Sequence, residues 1–321
     1  MKPTPDAIAT AADEAAVRIA DIICETPLRR SAAFSEATGA EVYFKLENVQ
    51  HTGSFKLRGA TNCLMTLGEE ERRAGCVAAS SGNHGAAVAY AMRELGVGGV
   101  IFVPEQTSLA KVDAIRGYGG DVRFFGTDGL DTEQHARAYA EQHGMYYVSP
   151  YNDAAVVAGQ GTCGVEIARQ LPDVDAAFVA VGGGGLISGV GSVLKRHNPE
   201  LQLVGCQPEA SAVMAKSVAA GEVLDLPSDR TLSDGTAGGV EADAITFDLC
   251  RQVVDEFILV SEAEIAAAMR RYMAAEKDTI EGAAGVAVAA LLARRDAIAG
   301  RKVAVIICGG NVTQAVLDTI G

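Results

Sequence analysis

The sequence predicts an α/β protein built on open, largely parallel sheets. Short apolar runs alternate along the chain with segments of helical periodicity, a pattern typical of parallel strands that are buried on both faces between helices. Several runs end in clusters of Gly, Ser or Asn, and a helical segment follows each cluster at once. Because ligands bind beyond the carboxyl ends of strands in such sheets, we expect a ligand site where the clusters meet.

Six apolar runs are predicted to form strands, at 42–46, 76–79, 100–103, 178–181, 203–206 and 303–307. Helical periodicity predicts helices at 84–95, 107–117, 130–143, 186–196 and 261–275. A further helix is expected to begin near Lys56, and an apolar one is expected after 279–285. Neither a repeat nor a Pro- or Ser-rich linker separates these segments, so any domains are expected to be interleaved.

The composition limits the size of the fold and the kind of partner. The 321 residues are enough for one large domain or two ordinary ones. With 49% hydrophobic and 21% charged residues, the chain is expected to bury a sizeable core. A formal net charge of -14 argues against binding to nucleic acid, which requires a basic surface. Small anionic or zwitterionic ligands remain compatible with this charge.

Cysteine usage and the absence of targeting signals predict a cytoplasmic protein. The seven cysteines are odd in number and form no C-x-x-C pair, which favours free thiols in a reducing compartment. The amino terminus lacks the apolar stretch of a signal peptide, and no apolar run is long enough for a membrane span. The histidines show no metal-ligand spacing, so no metal site is predicted.

One lysine stands out because it lies among small and polar residues. Lys56 occupies the phrase 52–60, Thr-Gly-Ser-Phe-Lys-Leu-Arg-Gly-Ala. Burial beside Phe55 and Leu57 would lower the pKa of its amine and make it a nucleophile. A solvated lysine in the first turn of a helix is the simpler interpretation of Lys56 taken alone.

The cluster at 80–85, Ser-Ser-Gly-Asn-His-Gly, follows a predicted strand and opens a helix. Unpaired backbone N–H groups at a helix start attract anions such as an amino-acid carboxylate. The Asn83 amide can also donate a hydrogen bond to a ligand oxygen. An ordinary helix cap is the alternative interpretation of these residues.

Four consecutive glycines at 182–185 lie between a predicted strand and a predicted helix. Their backbone can wrap a phosphate at the helix amino terminus. A dinucleotide-binding G-x-G-x-x-G is excluded, because Ile187 or Ser188 stands where its last glycine is needed. A tight turn without a ligand is the alternative, although four glycines cost chain entropy.

Two further side chains are candidates for the same site. Cys308 follows the last predicted strand, and Glu281 precedes the apolar helix. A buried core cysteine is the simpler interpretation of Cys308. Glu281 fits equally well as a ligand contact or as a first-turn glutamate that is stabilised by the helix dipole.

In this order the motifs resemble the serine/threonine dehydratase and serine racemase family of pyridoxal-phosphate (PLP) enzymes. The likeness spans nearly the whole chain, from Thr26 to Asn311. It implies PLP as cofactor, bound in the cleft between two open α/β domains of the tryptophan-synthase-β type. It also implies a large domain formed by 1–66 and 148–321, a small domain formed by 67–147, and a homodimer or higher homo-oligomer.

The resemblance implies a role for each motif. Lys56 would hold PLP as a Schiff base and act as general base toward the substrate's α-proton, and Ser81 would be a second base on the opposite face. The implied cofactor-binding residues are Phe55, Lys56, Asn83, Gly182, Gly183, Gly184, Gly185, Leu186 and Cys308. The implied substrate-binding residues are Ser80, Ser81, Gly82, Asn83 and His84. A neutral Cys308 thiol facing the pyridine nitrogen would suit β-elimination better than transamination.

The implied activity is a dehydratase, or ammonia-lyase, acting on a β-hydroxy amino acid of the serine or threonine type to give a 2-oxo acid and ammonia. Serine racemases of this family hold a divalent cation with carboxylates, whereas Gln207 and Val213 stand at those positions here. This departure argues against divalent activation and against a racemase. Racemisation, dehydration of hydroxyaspartate or of a hydroxyectoine-derived amino acid, and non-catalytic binding of an amino acid or PLP stay open as alternatives.

Overall fold

Two β-sheets form the framework of the protein. The computed structural model of the chain describes residues 2–321. The ten strands in that range are β1 Leu28–Arg30, β2 Glu41–Leu46, β3 Cys76–Ala79, β4 Gly99–Val103, β5 Asp121–Phe124, β6 Tyr146–Tyr147, β7 Ala176–Ala180, β8 Gln202–Pro208, β9 Glu256–Val260 and β10 Lys302–Ile307.

The strands pair in two separate open sheets. The six-stranded sheet has the order β1-β2-β10-β7-β8-β9, and only its edge strand β1 runs antiparallel to its neighbour. The four-stranded sheet has the order β5-β4-β3-β6, with every pair parallel. The predicted α/β class with two open parallel-sheet domains is therefore confirmed.

All six predicted strands are present, and the run predicted at 178–181 is β7, which begins two residues earlier at Ala176. The four strands that the apolar pattern misses, β1, β5, β6 and β9, are the four sheet edges. Edge strands have one neighbour and face water along one side. Three of them are therefore short or charged, as in the Leu-Arg-Arg of β1. β9 is the exception, because its residues 257–260 form an apolar run that was not predicted as a strand.

Helices cover both sheets. The fifteen α-helices in the described part of the chain are α1 Pro5–Arg18, α2 Ala32–Thr38, α3 Lys56–Thr66, α4 Glu69–Ala74, α5 Asn83–Leu95, α6 Leu109–Gly117, α7 Gly129–His143, α8 Ala154–Gln170, α9 Gly185–His197, α10 Val213–Ala220, α11 Ile245–Val253, α12 Glu262–Glu276, α13 Gly282–Ala293, α14 Arg295–Ile298 and α15 Gln314–Ile320.

The five helices predicted from periodicity are α5, α6, α7, α9 and α12, with ends that differ by at most two residues. The start of α3 at Lys56 is confirmed. The apolar helix is present as α13, but it begins at Gly282, inside the stretch 279–285 that was expected to precede it. Helix α13 is buried from Gly282 to Leu291, because it packs against several strands of the six-stranded sheet. None of the helices within residues 2–321 is long and apolar enough to cross a membrane.

Each sheet has its own apolar core. The larger core surrounds the six-stranded sheet and includes α13. The smaller core joins β3 and β4 to α5 and to the Leu57, Ala60 and Leu64 side chains of α3. Helix α3 therefore begins at the six-stranded sheet, where Phe55 N–H donates to the Cys308 carbonyl at 3.0 Å, and packs against the other sheet. The domain boundaries at 66/67 and 147/148 stay a prediction.

Candidate active site

A cavity of about 690 Å³ lies between the two sheets. Its wall includes Lys56, the turn 80–84 after β3, the glycine loop 182–185 after β7, and Cys308 after β10. All three of these strands end at the cavity, which is where open parallel sheets place their ligands. The structure thus brings every site residue proposed from the sequence to one cavity.

Lys56 is the first residue of α3 and lies partly buried in the cavity wall. Its Nζ donates a hydrogen bond to the Pro150 carbonyl at 2.9 Å and lies 5.3 Å from the centre of the Phe55 ring. Burial of the ammonium group lowers the pKa of Lys56 to about 8. A minor fraction of the amine, far larger than for a solvated lysine, is therefore neutral and nucleophilic near neutral pH.

The turn after β3 presents backbone donors to the cavity. Gly82 N–H donates to Ser80 Oγ at 3.1 Å, which holds the turn, and Ser81 lies on the cavity wall. The first backbone bond of α5 runs from Ala86 N–H to the Gly82 carbonyl at 3.2 Å. The N–H groups of residues 83–85 therefore precede the hydrogen-bonded helix and can bind an anion.

His84 is held by the protein itself. Its buried Nε2 lies 2.8 Å from the Val148 carbonyl, which can only accept, so Nε2 carries a proton and donates. Burial, with Lys56 nearby, lowers the pKa of His84 to about 3, so the imidazole stays neutral across the physiological range. Its side chain anchors α5, and its backbone N–H is the group available to a ligand.

The glycine loop forms an anion-sized nest. The first backbone bond of α9 runs from Ser188 N–H to the Gly184 carbonyl at 3.0 Å, and the N–H groups of 183–187 donate to none of the described residues. A Cβ on Gly183 would lie 2.3 Å from the Tyr151 ring, so only glycine fits there. Thr246 Oγ1 donates to the Gly183 carbonyl at 2.6 Å and fixes the loop.

Two buried acidic groups complete the wall. Burial raises the pKa of the Cys308 thiol well above its ordinary value, so this residue is a neutral thiol. Cys308 Sγ lies 3.9 Å from Glu281 Oε1. Burial also raises the pKa of Glu281 to about 7, although hydrogen bonds from Asn83 oppose the shift.

The Gln207 side chain is fully engaged by the backbone. Its Nε2 donates to the Val181 carbonyl at 3.0 Å, and its Oε1 accepts from Ala215 N–H at 2.7 Å. Val213 is buried at the start of α10. Within residues 2–321 no three His, Cys, Asp or Glu side chains lie close enough together to hold a metal ion. Independence from divalent cations stays a prediction.

A buried ion cluster lies behind the lysine and was not predicted from the sequence. Arg58, two residues after Lys56, donates to Glu47 at 2.7 Å and to Glu166 at 2.7 Å. Lys45 Nζ donates to the same Glu166 at 2.5 Å. Two cations and two carboxylates thus neutralise one another and tie α3 to β2 and α8. The one indication in the sequence was that Arg58 lies inside the motif 52–60 around Lys56.

Comparisons with known proteins identify the family. The family model described as "Pyridoxal-phosphate dependent enzyme" matches residues 19–309. The L-threonine ammonia-lyase of Thermotoga maritima is 42% identical over 307 residues, covering 96% of this chain and 76% of that protein. The chain therefore belongs to the family of pyridoxal-phosphate dependent enzymes, and PLP is its cofactor.

Solved structures show the same fold. Threonine deaminase isoform 2 from Solanum lycopersicum superposes with a TM-score of 0.93 at 33% identity, covering 98% of this chain and 92% of that one. Maize serine racemase superposes with a TM-score of 0.92 at 32% identity, covering 97% and 95%.

The residues of the cavity fit this cofactor. Lys56 offers an amine that is neutral enough to react with an aldehyde. The free N–H groups of the glycine loop suit a phosphate. The neutral Cys308 thiol fits beside a ring nitrogen that carries no proton, because an un-ionised thiol does not stabilise a positive charge there.

Proposed function

We propose that the protein eliminates water from a β-hydroxy amino acid of the serine or threonine type and releases a 2-oxo acid and ammonia. The observation that carries the proposal is the single cavity in which Lys56, the 80–84 turn and the 182–185 loop meet. The similarity to an L-threonine ammonia-lyase and to a threonine deaminase supports the reaction type.

The proposed roles of the side chains follow from their positions. Bound PLP supplies an aldehyde for covalent attachment and a ring that withdraws electrons from the substrate's α-carbon. Gly182, Gly183, Gly184, Gly185 and Leu186 hold the phosphate with backbone N–H groups. Phe55, Asn83 and Cys308 contact the ring. The 80–84 turn binds the substrate carboxylate, and Lys56 Nζ takes the α-proton as general base.

Loss of the α-proton and of the β-hydroxyl leaves an unsaturated amine, which water hydrolyses to the 2-oxo acid and ammonia. The test is an end-point assay of the PLP-loaded protein with L-threonine and L-serine. We expect one ammonia for each 2-oxo acid. Ammonia without 2-oxo acid, or neither product, would contradict the proposal.

Racemisation is a second candidate because Ser81 lies in the same cavity as Lys56 and because the maize serine racemase has the same fold. A chiral assay of the same L-serine reaction separates the two activities. Formation of D-serine with little pyruvate would favour the racemase.

We also propose a division into a large domain, 1–66 with 148–321, and a small domain, 67–147. The separate cores of the two sheets support two domains, with α3 packed between them because its Leu57, Ala60 and Leu64 side chains lie in the smaller core. A cytoplasmic location is supported by the seven free thiols, six of them buried. The family resemblance supports a homo-oligomer, which sedimentation of the holoenzyme would test.

A further inference from the structure

Glu281 is a buried carboxyl group in the cavity wall that the proposed reaction does not use. It is 5% exposed and precedes the first turn of α13. Its carboxyl group is closely packed, because a Cβ on Gly309 would lie 2.6 Å from Oε1. Burial of a carboxylate costs stability unless it is bonded, so the partners of Glu281 indicate what it does.

The main partner of Glu281 is the Asn83 amide. Asn83 Nδ2 lies 3.0 Å from Oε1 and 2.9 Å from Oε2 of Glu281. The other end of the same amide is also bonded, because Asn311 Nδ2 donates to Asn83 Oδ1 at 2.7 Å. Asn311 is itself held by the Thr52 carbonyl at 2.9 Å.

These bonds cross the cleft. Asn83 opens α5, which belongs to the core of the four-stranded sheet. Glu281 precedes α13, and Asn311 follows β10 of the six-stranded sheet. The Asn83 amide is therefore held at its nitrogen by the Glu281 carboxyl group and at its oxygen by the Asn311 amide. Both partners lie on the side of the cleft that carries the six-stranded sheet.

The two contacts fix the amide orientation. The Thr52 carbonyl can only accept, so Asn311 presents Nδ2, which only donates, to the Asn83 oxygen. The Asn83 nitrogen must therefore face the Glu281 carboxyl group, whose ionised form accepts from it. With its orientation set, Asn83 can present the remaining hydrogen of Nδ2 in one direction only.

We propose that Glu281 is a positioning residue that, together with Asn311, fixes the Asn83 amide for its contact with the cofactor. This proposal rests on the proposed function in one respect, the contact between Asn83 and the PLP ring. It predicts that loss of Glu281 weakens PLP binding through Asn83, although Glu281 itself need not touch the cofactor.

The test measures the PLP dissociation constant of cofactor-free protein by absorbance titration. Glu281→Ala should weaken PLP binding by about ten- to a hundredfold, as expected for losing a hydrogen bond to a charged group. Glu281→Gln keeps one acceptor and should recover most of that loss. Asp278→Ala is the matched control, because Asp278 also accepts from an asparagine amide, Asn48 Nδ2 at 2.9 Å, but lies outside the cavity.

Asn83→Ala separates this proposal from the proposed function. If Asn83→Ala weakens PLP binding and Glu281→Ala does not, Glu281 is not a positioning residue. If Asn83→Ala binds PLP like the unchanged protein, the proposed cofactor contact is wrong, and the positioning role fails with it. Equal weakening in Glu281→Ala and Asp278→Ala would also overturn the proposal. Far-UV circular dichroism confirms that each variant is folded.

Discussion

At the scale of single residues, we expect Ser81 to determine whether the protein handles one or both enantiomers. It lies in the same cavity as Lys56 and is proposed as the base for the opposite face. Ser81→Ala should keep PLP binding and part of the elimination from L-serine, because Lys56 takes that proton. Reaction of D-serine and any racemisation should fall by roughly 10²–10⁴-fold, the usual contribution of a general base.

Steady-state rates with the two enantiomers check this prediction. Equal losses on D- and L-serine would show that Ser81 only positions the carboxylate. A normal visible absorbance spectrum of the variant is the control for intact cofactor binding.

Glu281 gives the cofactor-free protein a specific pH dependence. Burial raises the pKa of this carboxyl from 4.5 to about 7 in the folded state, so the folded protein keeps a proton that the unfolded chain releases above about pH 4.5. The contribution of Glu281 to stability therefore falls as the pH rises from 4.5 to 7 and stays low above it.

Glu281→Gln removes this titration. Between pH 5 and pH 8, the difference in unfolding free energy between the variant and the unchanged protein should shift by about 2 to 3 kcal/mol in favour of the variant. Urea unfolding at both pH values measures it. A difference that does not change with pH would mean that Glu281 is ionised normally in the fold.

At the scale of secondary-structure elements, α3 depends on the buried Arg58. This guanidinium bonds to Glu47 and Glu166 with no exposure to water. Arg58→Ala would remove the buried cation that pairs with both carboxylates. Breaking such a buried ion pair lowers the free energy of unfolding by about 3–5 kcal/mol. Urea unfolding should show this loss, whereas Arg93→Ala, which breaks an exposed pair with Glu94, should change stability by less than about 1 kcal/mol. Similar small effects for both variants would contradict the structural role of the cluster.

The loop between β7 and α9 depends on Gly183. A methyl group there would meet the Tyr151 ring at 2.3 Å and would have to displace either the ring or the loop. Gly183→Ala should therefore weaken PLP binding at least about tenfold, the effect of losing one to two hydrogen bonds. The control is Gly129→Ala at the start of α7, where a Cβ meets nothing within 4 Å. Unchanged PLP affinity in Gly183→Ala would contradict a phosphate site at this loop.

At the scale of the whole molecule, the sequence predicts the interior better than the edges. Interior strands such as β7 and β10 are apolar on both faces and can be recognised from composition alone. Edge strands such as β1 and β5 carry charged residues and are defined by a neighbour that is distant in the sequence. The Gly, Ser and Asn clusters that follow β3 and β7 could also be predicted, because each cluster is adjacent in the sequence to the strand and the helix that it joins.

Contacts between distant segments could not be predicted from one sequence. Asn83 and Glu281 are 198 positions apart, and Arg58 and Glu166 are 108 apart. In the sequence these polar and charged residues resemble solvated ones, since only the fold shows that they are paired. Gln207 is a similar case, because its amide partners belong to backbone segments that the tertiary structure brings together.

We propose that Lys56 binds PLP covalently in the cleft between the two sheets. Borohydride reduction of the PLP-loaded protein, followed by digestion and peptide mass mapping, tests this most directly. We predict a single pyridoxyl group per chain, attached to Lys56, and loss of the visible absorbance band. A pyridoxyl group on another lysine, such as Lys111 at the same cavity, or no attachment at all, would contradict the assignment of Lys56.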